Sequence, residues 1–164
     1  MGLWSLLPEG TSTALYRQCY NQTQWQACNF AVPEHSSSLL CVACRQTVAL
    51  PDLSLPGNVA GWARLESAKR QLFYSLARLG LQSVDDGAAP DPGPRYAFLA
   101  DWPGGEPVLT GHAGGIITIN VAEADDAQRL SHRVNLHEPY RTLLGHFRHE
   151  SGHYYWDRLV LGAG

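Results

Sequence analysis

The sequence lacks long apolar runs and has no excess of positive charge. No stretch approaches the roughly 18 apolar residues needed to cross a bilayer, and the apolar run at residues 3–7 is too short for a signal peptide and lacks its basic flank. The formal net charge of −3 gives no positive field that would attract nucleic acid or an anionic membrane. We therefore expect a cytoplasmic protein whose partners include neither nucleic acid nor a membrane.

The distribution of cysteines is uneven. Residues 1–18 contain none, and all four cysteines lie before Pro51. With 164 residues, 45% hydrophobic and 16% charged, the chain has a globular composition and is long enough for one ordinary domain or for a small module joined to a larger piece. In a reducing compartment, four cysteines are expected to bind metal more often than to form disulfides.

The cysteine spacing predicts a zinc site in the first part of the chain. Cys41 and Cys44 are separated by two residues, which allows both sulfurs of a tight turn to reach one tetrahedral ion at about 2.3 Å. Cys19 and Cys28 are separated by eight residues and form a less regular second pair, which needs a longer loop to converge. Residues 1–52 are also too few to fold by hydrophobic burial alone. Four thiolates around one zinc ion is the leading interpretation.

Other interpretations of the cysteines stay open. The CxxC pair also fits a redox dithiol, buried free thiols, or a site whose second CxxC pair has been lost from the start of the chain. No βαβ pattern follows Cys41, which weakens the redox alternative. His35 is a candidate to replace one thiolate, although a solvated loop histidine is the simpler explanation.

Between the cysteines and the end of the chain, the pattern is mixed α and β. Apolar residues recur with helical spacing over residues 59–79, with Asn58 as the expected N-cap and Gly80 as the C′ stop. Residues 85–94 are rich in Asp, Gly, Ala and Pro, which predicts an exposed loop. The chain after residue 52 therefore begins with a helix and continues through a loop into predicted strands.

The predicted strands include a hairpin. Residues 95–99 form one strand, and residues 107–110 and 116–121 flank the glycine-rich turn at 111–115. An open edge of such a hairpin can pair with an extended peptide, although an ordinary sheet edge explains the pattern equally well. A further helix is expected over residues 125–135.

The last predicted helix carries the candidate metal-binding and catalytic residues. Pro139 suits a first helical turn, and residues 140–161 contain no further proline. Within it, His149-Glu150-Ser151-Gly152-His153 has the form H-E-x-x-H, which places two imidazoles about 6 Å apart along one helical face. Both can reach one zinc ion, with Glu150 adjacent to the first of them.

This motif predicts metal-assisted hydrolysis. Zinc lowers the pKa of a water molecule to about 7 and polarises a carbonyl, and Glu150 is placed to accept the proton of that water. His146, Tyr154 and Asp157 are candidates for the shell of side chains around the metal ligands. The alternative interpretation is a pair of structural histidines on a core helix.

The sequence at this point resembles the bacterial zinc-binding metallopeptidase family that carries an N-terminal zinc ribbon. The resemblance rests on the segment EPYRTLLGHFRHESGHYYWD at residues 138–157, and it extends to LCVACR at 40–45, PDLSLPGN at 51–58 and LTGHAGGIITINVAEADD at 109–126. It implies a ribbon followed by a zincin-like domain, with His149 and His153 as ligands and Glu150 as base.

The third zinc ligand is missing from the pattern. In this resemblance it is an acidic residue from a later helix, whereas this sequence ends at Gly164. Asp157 lies on the same helical face but about 12 Å along the axis from His149, too far to share one ion. The other candidates are His112, Glu123, Asp125 and Asp126. We therefore expect the chain to hold only the N-terminal portion of the catalytic domain.

The sequence thus predicts an α+β protein with a zinc-ribbon-like module at residues 1–52 and an incomplete zincin-like domain at 53–164. The expected cofactor is Zn²⁺, in one structural site formed by the four cysteines and in one catalytic-type site, and the expected partner is a peptide or protein substrate. The leading function is zinc-dependent hydrolysis of peptide bonds. The alternatives are a non-catalytic zinc-binding protein-interaction module and a hydrolase of non-peptide amides. An unfinished domain would expose apolar surface, so homo-oligomerisation is also an expectation.

Overall fold

The computed structural model describes residues 14–82, 93–125 and 142–162. In chain order its elements are β1 (Tyr16–Gln18), α1 (Tyr20–Trp25), β2 (Ala31–Pro33), β3 (Thr47–Ala49), α2 (Asn58–Arg78), β4 (Arg95–Leu99), β5 (Gly111–Ala113), β6 (Ile116–Asn120) and α3 (Leu143–Trp156). Short 3-10 turns lie at Cys44–Gln46 and Val121–Ala124, and a π-helical turn lies at Asp157–Leu161. In these ranges, none of the helices combines the length and apolarity that crossing a membrane requires. The predicted mixture of helix and sheet is confirmed.

A small unit of two strands and one helix comes first, and we call residues 14–46 the ribbon module. β1 and β2 pair antiparallel. The Arg17 guanidinium donates to the carbonyl oxygens of Pro33 (3.2 Å), Glu34 (2.9 Å), Ser36 (2.7 Å) and Ser38 (2.8 Å). The Arg17 side chain thereby fixes the loop that leads toward the CxxC pair. These hydrogen bonds order the loop in a module whose apolar core is too small to do so.

The second part of the chain is built on a four-stranded sheet with the order β3-β4-β6-β5. β4 is parallel to both β3 and β6, whereas β5 is antiparallel to β6 and lies at the edge. β3 precedes the domain boundary expected at residue 52, yet it pairs with β4, which follows that boundary. The sheet therefore joins the ribbon module to the rest of the protein.

Helix α2 covers the sheet with one apolar face. Trp62, Leu65, Leu72 and Leu76 are buried, and they share a core with aromatic and β-branched residues of β4 and β6. The helical spacing of these residues correctly predicted this helix to within one residue at each end. Burial of four large apolar side chains on one face explains why the segment is helical although three of its buried residues, Glu66, Lys69 and Arg70, are charged.

The two ends of α2 test the capping predictions. Asn58 was expected to be the N-cap, and this is wrong: Gly57 is the N-cap, with φ of +86°, and Asn58 is the first helical residue. Its side-chain amide donates to the carbonyl of Asp52 at 2.8 Å instead. The prediction for Gly80 is confirmed, since its φ is +70° and its N–H donates to the carbonyl of Ala77.

The predicted hairpin forms, but with a shorter loop. The strand predicted at 95–99 is confirmed, and β6 matches the strand predicted at 116–121. The partner strand is β5, not residues 107–110, because the turn uses only Gly114 and Gly115, with φ of +56° and +79°. The helix expected at 125–135 and most of the loop expected at 85–94 lie outside the described residues.

Helix α3 is shorter than the predicted helix at 140–161. It begins at Leu143, because Thr142 is extended and its hydroxyl accepts the N–H of Gly145 at 3.0 Å. After Trp156 the backbone changes to the π-helical turn. Of the residues of α3, only Phe147, Ser151 and Tyr154 are buried. Its other faces are left open to solvent or partly covered, which places the H-E-x-x-H motif near the surface.

Candidate metal sites

The four cysteines converge on one point in the ribbon module. Cys19 precedes α1, Cys28 follows it, and Cys41 and Cys44 flank the start of the 3-10 turn at residues 44–46. Their Sγ atoms all lie within 4.8 Å of one another, and those of Cys28 and Cys41 are 3.7 Å apart. Four sulfurs at about 2.3 Å from a tetrahedral zinc ion are separated by about 3.8 Å. The cluster therefore has the dimensions of a zinc site with four thiolate ligands.

The surroundings of the sulfurs are those of thiolates. Backbone N–H groups of Phe30 and Cys41 donate to the Sγ atoms of Cys28 and Cys19, each at 3.3 Å, and the N–H of Cys44 donates to Cys41 Sγ at 3.4 Å. All four side chains are buried and none forms a disulfide. Such N–H donors offset the negative charge that a tetrathiolate centre concentrates in the interior.

The pKa values of these thiols diverge because their protons are shared. Hydrogen bonds from the thiols of Cys28, Cys41 and Cys44 lower the pKa of Cys19 well below its ordinary value. The pKa of Cys44 is raised, first by its hydrogen bonds with Cys19 and Cys28 and further by its burial. The pKa of Cys28 is also lowered and that of Cys41 is raised, so two of the four thiols lose their protons more easily than the other two. A divalent cation is the natural replacement for the protons that the cluster retains.

A buried ionic network lies directly behind the cysteines, on helix α2. The carboxylate of Glu66 is 2.8 Å from Lys69 Nζ and 4.0 Å from the guanidinium of Arg70, and it is 3.9 Å from Cys44 Sγ. Thr47 and Trp62 donate to its second oxygen at 2.6 and 3.2 Å. The network therefore connects the cysteine cluster, β3 and α2 through a carboxylate with no exposed surface.

Sequence reasoning missed this network, although a signal for it is present. Glu66 and Lys69 fall at the i, i+3 and i+4 positions that continue the apolar stripe of α2 from Trp62 to Leu76. Charged residues at core positions of a helix indicate a buried pair, because an isolated charge there would be too costly. Lys69 is the single lysine of the chain, and its ammonium also lies 5.6 Å from the ring centres of Tyr96 and Phe98.

The histidine pair lies on the exposed side of α3. The Nε2 atoms of His149 and His153 are 3.1 Å apart, and their rings are nearly perpendicular. Two nitrogens bound at 2.0–2.1 Å to a tetrahedral zinc ion would be about 3.3–3.4 Å apart. The spacing therefore fits two ligands of one ion, and Glu150, which is partly buried, follows the first histidine directly.

The candidates for a third ligand point elsewhere. Within residues 14–82, 93–125 and 142–162, no third Cys, His, Asp or Glu joins the two histidines to form a compact group. Asp157 Oδ2 lies 3.8 Å from Nδ1 of His112, and Glu123 Oε2 lies 3.4 Å from Nδ1 of His146. Asp125 is exposed, and Asp126 lies outside the described residues. Asp157 and His112 thus pair with each other, and Glu123 pairs with His146.

His112 is more enclosed than its place in a glycine-rich turn suggested. Its side chain is only 9% exposed, and within the described part of the chain Nε2 has no hydrogen-bond partner. Its ring packs edge-on against Tyr154, with centroids 5.9 Å apart. His112 is thus enclosed because the short hairpin turn places it inside β5 and against α3.

The aromatic residues after His153 have separate structural roles. Tyr154 is buried, and its hydroxyl accepts from Arg158 at 2.8 Å. The hydroxyl of Tyr155 donates to the carbonyl of Leu81 at 3.0 Å, which ties α3 to the end of α2. Trp156 is 58% exposed. These contacts fix the helix that presents the histidine pair.

Comparisons with known proteins agree with this arrangement. The family described as "putative zinc-binding metallo-peptidase" matches residues 58–164, and a zinc-ribbon domain family matches residues 2–55. Uncharacterized proteins of Mycobacterium bovis and of two Mycobacterium tuberculosis strains are each 44% identical over 136 residues, which is 83% of this chain and 39% of each relative. The chain thus spans about 39% of the length of the curated relatives it matches.

No solved structure matches the chain. The two family descriptions and the four-cysteine cluster together support zinc binding. The family match covers well over half of the sequence and includes both α2 and the histidine pair. The chain belongs to this zinc-binding metallopeptidase family and carries its N-terminal zinc ribbon.

Proposed function

We propose that the chain carries the zinc-binding helix of a peptidase that hydrolyses peptide bonds. The observation that supports this most directly is the 3.1 Å separation of the two Nε2 atoms on the exposed face of α3. A pair of histidines that served only to pack a core would be buried, whereas both of these residues are exposed. Exposed ring nitrogens at a ligand-pair distance suit a metal site that remains accessible to substrate.

Each residue of the motif has a defined role in this proposal. His149 and His153 would hold the ion through Nε2. When bound, zinc supplies Lewis acidity, which polarises a substrate carbonyl and acidifies water. Glu150 accepts the proton of the attacking water and passes it to the nitrogen of the leaving amine. The Oγ1 cap of Thr142 and the Tyr155–Leu81 hydrogen bond hold α3, and hence these three side chains, in place.

The position of β5 favours a peptide as substrate. β5 pairs with β6 on one side only within the described sheet, so its other edge is available for an extended chain. His112 of this strand lies 3.8 Å from Asp157, just beyond the end of α3. An extended peptide paired with β5 would therefore run beside the helix that carries the histidines. A small non-peptide amide would not need this edge.

A second function has one specific observation in its favour. In the part of the chain that the structure describes, the four cysteines are the only group of three or more metal-ligating side chains close enough to hold an ion. The histidine pair alone offers two ligands. A non-catalytic module, in which zinc only stabilises the ribbon and the surface docks onto a protein, is consistent with that difference.

Peptide cleavage by the zinc-loaded protein distinguishes the two functions. A diverse peptide library is incubated with the wild type, with Glu150→Gln and with Glu106→Gln, and the products are identified by mass spectrometry. Loss of the general base should slow cleavage by about 10²–10⁴-fold, whereas Glu106 is an exposed loop carboxylate whose substitution should have no effect. Equal rates for the wild type and Glu150→Gln would eliminate the hydrolase proposal. Cleavage of small amides without cleavage of peptides would indicate a hydrolase of non-peptide amides.

Counting zinc tests the two sites without reference to activity. The proposal expects two zinc ions per chain in the metal-supplemented protein. Replacing His149 and His153 with alanine should remove one, and replacing Cys41 and Cys44 with serine should remove the other. A wild-type content of one zinc ion that is unchanged by the histidine substitutions would contradict a metal site on α3.

A further inference from the structure

A cleft lies between the ribbon module and the two long helices. It encloses about 390 Å³ and is lined by Asn29 and Phe30 of the ribbon module, by a face of α2 that includes Arg70 and Tyr74, and by Leu144 and Arg148 of α3. Phe30 is held in the wall by an edge-to-face contact with Phe73 of α2, at 5.8 Å between centroids. The cleft is therefore bounded by residues from three separate parts of the chain.

The charge of the cleft is opposite to that of the protein. None of its lining residues is acidic and two are arginines, although the chain as a whole has a net charge of −3. Arg70 already has partners within the protein, because its guanidinium donates to the carbonyl of Ala27 at 2.9 Å and lies 4.0 Å from the carboxylate of Glu66. Arg148 is exposed, and its side chain meets no partner within residues 14–82, 93–125 and 142–162. The cleft thus presents a guanidinium that is not already neutralised.

The cleft borders the helix that carries the histidine pair. Arg148 directly precedes His149, and consecutive Cα atoms are about 3.8 Å apart. On a helix with 3.6 residues per turn, the two side chains leave the axis about 100° apart, so the faces they occupy are adjacent. A substrate that crosses α3 with a carbonyl near His149 would therefore also pass Arg148 and this cleft.

We propose that this cleft is a specificity subsite that binds an acidic side chain of the peptide substrate close to the scissile bond. Arg148 pairs with the carboxylate, and Phe30 and Tyr74 contact the aliphatic part of the substrate side chain. This inference rests on the proposed function for its substrate class. It also gives the ribbon module a part in substrate selection, because Asn29 and Phe30 form one wall.

Binding of matched peptides tests this subsite apart from catalysis. The Glu150→Gln protein is loaded with zinc, and fluorescence anisotropy is used to compare a fluorescein-labelled hexapeptide containing two glutamates with the same peptide containing two glutamines. A guanidinium–carboxylate contact should make the glutamate peptide bind at least about tenfold more tightly. Adding Arg148→Gln should reduce that preference to less than about twofold.

Arg95→Gln is the matched control, since Arg95 is likewise an exposed arginine and does not line the cleft. It should retain the full preference for glutamate. The subsite is contradicted if the starting protein shows no preference, or if Arg148→Gln and Arg95→Gln reduce it equally, which would indicate general electrostatic attraction. Cleavage without an acidic preference would reject the subsite alone. An acidic preference in binding, together with no cleavage of either peptide by the zinc-loaded wild type, would leave the subsite standing and reject the peptidase proposal.

Discussion

Replacing Lys69 with methionine should lower the free energy of unfolding by about 3–5 kcal/mol. The Lys69 side chain is 1% exposed, and its ammonium lies 2.8 Å from the fully buried carboxylate of Glu66. Methionine has a similar length and apolar stem, so the contacts with the surrounding core are largely kept. What is lost is the partner of a buried charge, and removal of one member of a buried ion pair costs about 3–5 kcal/mol.

The remaining contacts of Glu66 do not replace the ammonium. Without Lys69, the nearest cation is the guanidinium of Arg70 at 4.0 Å, and that group already donates to the carbonyl of Ala27. Thr47 and Trp62 still donate hydrogen bonds to the carboxylate but carry no charge. For a chain of this length, the predicted loss corresponds to a decrease of about 6–20 °C in Tm.

A double substitution separates the cost of the unpaired charge from the cost of altered packing. Lys69→Met combined with Glu66→Gln leaves no buried carboxylate without its ammonium partner, and Arg70 keeps its hydrogen bond to the carbonyl of Ala27, so the double variant should be more stable than Lys69→Met alone. Urea unfolding of the zinc-loaded proteins, followed by tryptophan fluorescence, gives the free energies. Zinc content must be equal in all samples, because Glu66 also lies 3.9 Å from Cys44 Sγ. A Lys69→Met variant within about 0.5 kcal/mol of the wild type would refute the assignment of a stability role to this pair.

Two further predictions concern a close helix contact and a titrating carboxylate. Gly61→Ala should destabilise the protein by about 1–3 kcal/mol, because the added Cβ would lie 2.5 Å from a methyl carbon of Val121. Gly152→Ala on α3 is the control: its Cβ would meet no atom within 4 Å, so this substitution should be neutral or stabilising. Urea unfolding measures both variants, and equal effects would contradict the close contact between Gly61 and Val121. Asp101 accepts hydrogen bonds from a loop backbone N–H and from the Asn120 side chain, which lower its pKa. Its contribution to stability is therefore present above the unfolded pKa of about 3.9 and is lost as the pH falls through the lower folded value. The difference in free energy of unfolding between the wild type and Asp101→Asn should decrease between pH 6 and pH 3. An increase of this difference on acidification would contradict a lowered pKa of Asp101.

Local pattern predicted the parts of the fold whose stabilising contacts lie close in sequence. The bounds of α2 follow from apolar spacing and from Gly80, and the 114–115 turn follows from two glycines that tolerate positive φ. The four-residue separation of His149 and His153 fixes their relative position on any helix, so their closeness required no tertiary information. The start of α3 was predicted three residues early because Thr142, as an extended cap, outweighed the preference expected for Pro139.

Long-range contacts decided the rest. The spacing of Cys19 and Cys28 permitted convergence on the CxxC pair, but only the folded ribbon module, with Arg17 holding its loop, brings the four sulfurs within 4.8 Å. The parallel pairing of β3 with β4 has no local signature, since parallel strands are joined by distant segments of chain.

The sequence by itself determined which residues can share a metal ion on one helix and where the main helices and strands lie, because 3.6-residue and two-residue periodicities are local. Only the tertiary structure decided that Glu66 and Lys69 meet out of water, that His112 is enclosed against Tyr154, and that the ribbon module and α3 form two walls of one cleft. The physical reason is that burial and the pairing of charges depend on which surfaces meet, and residues far apart in the chain provide those surfaces.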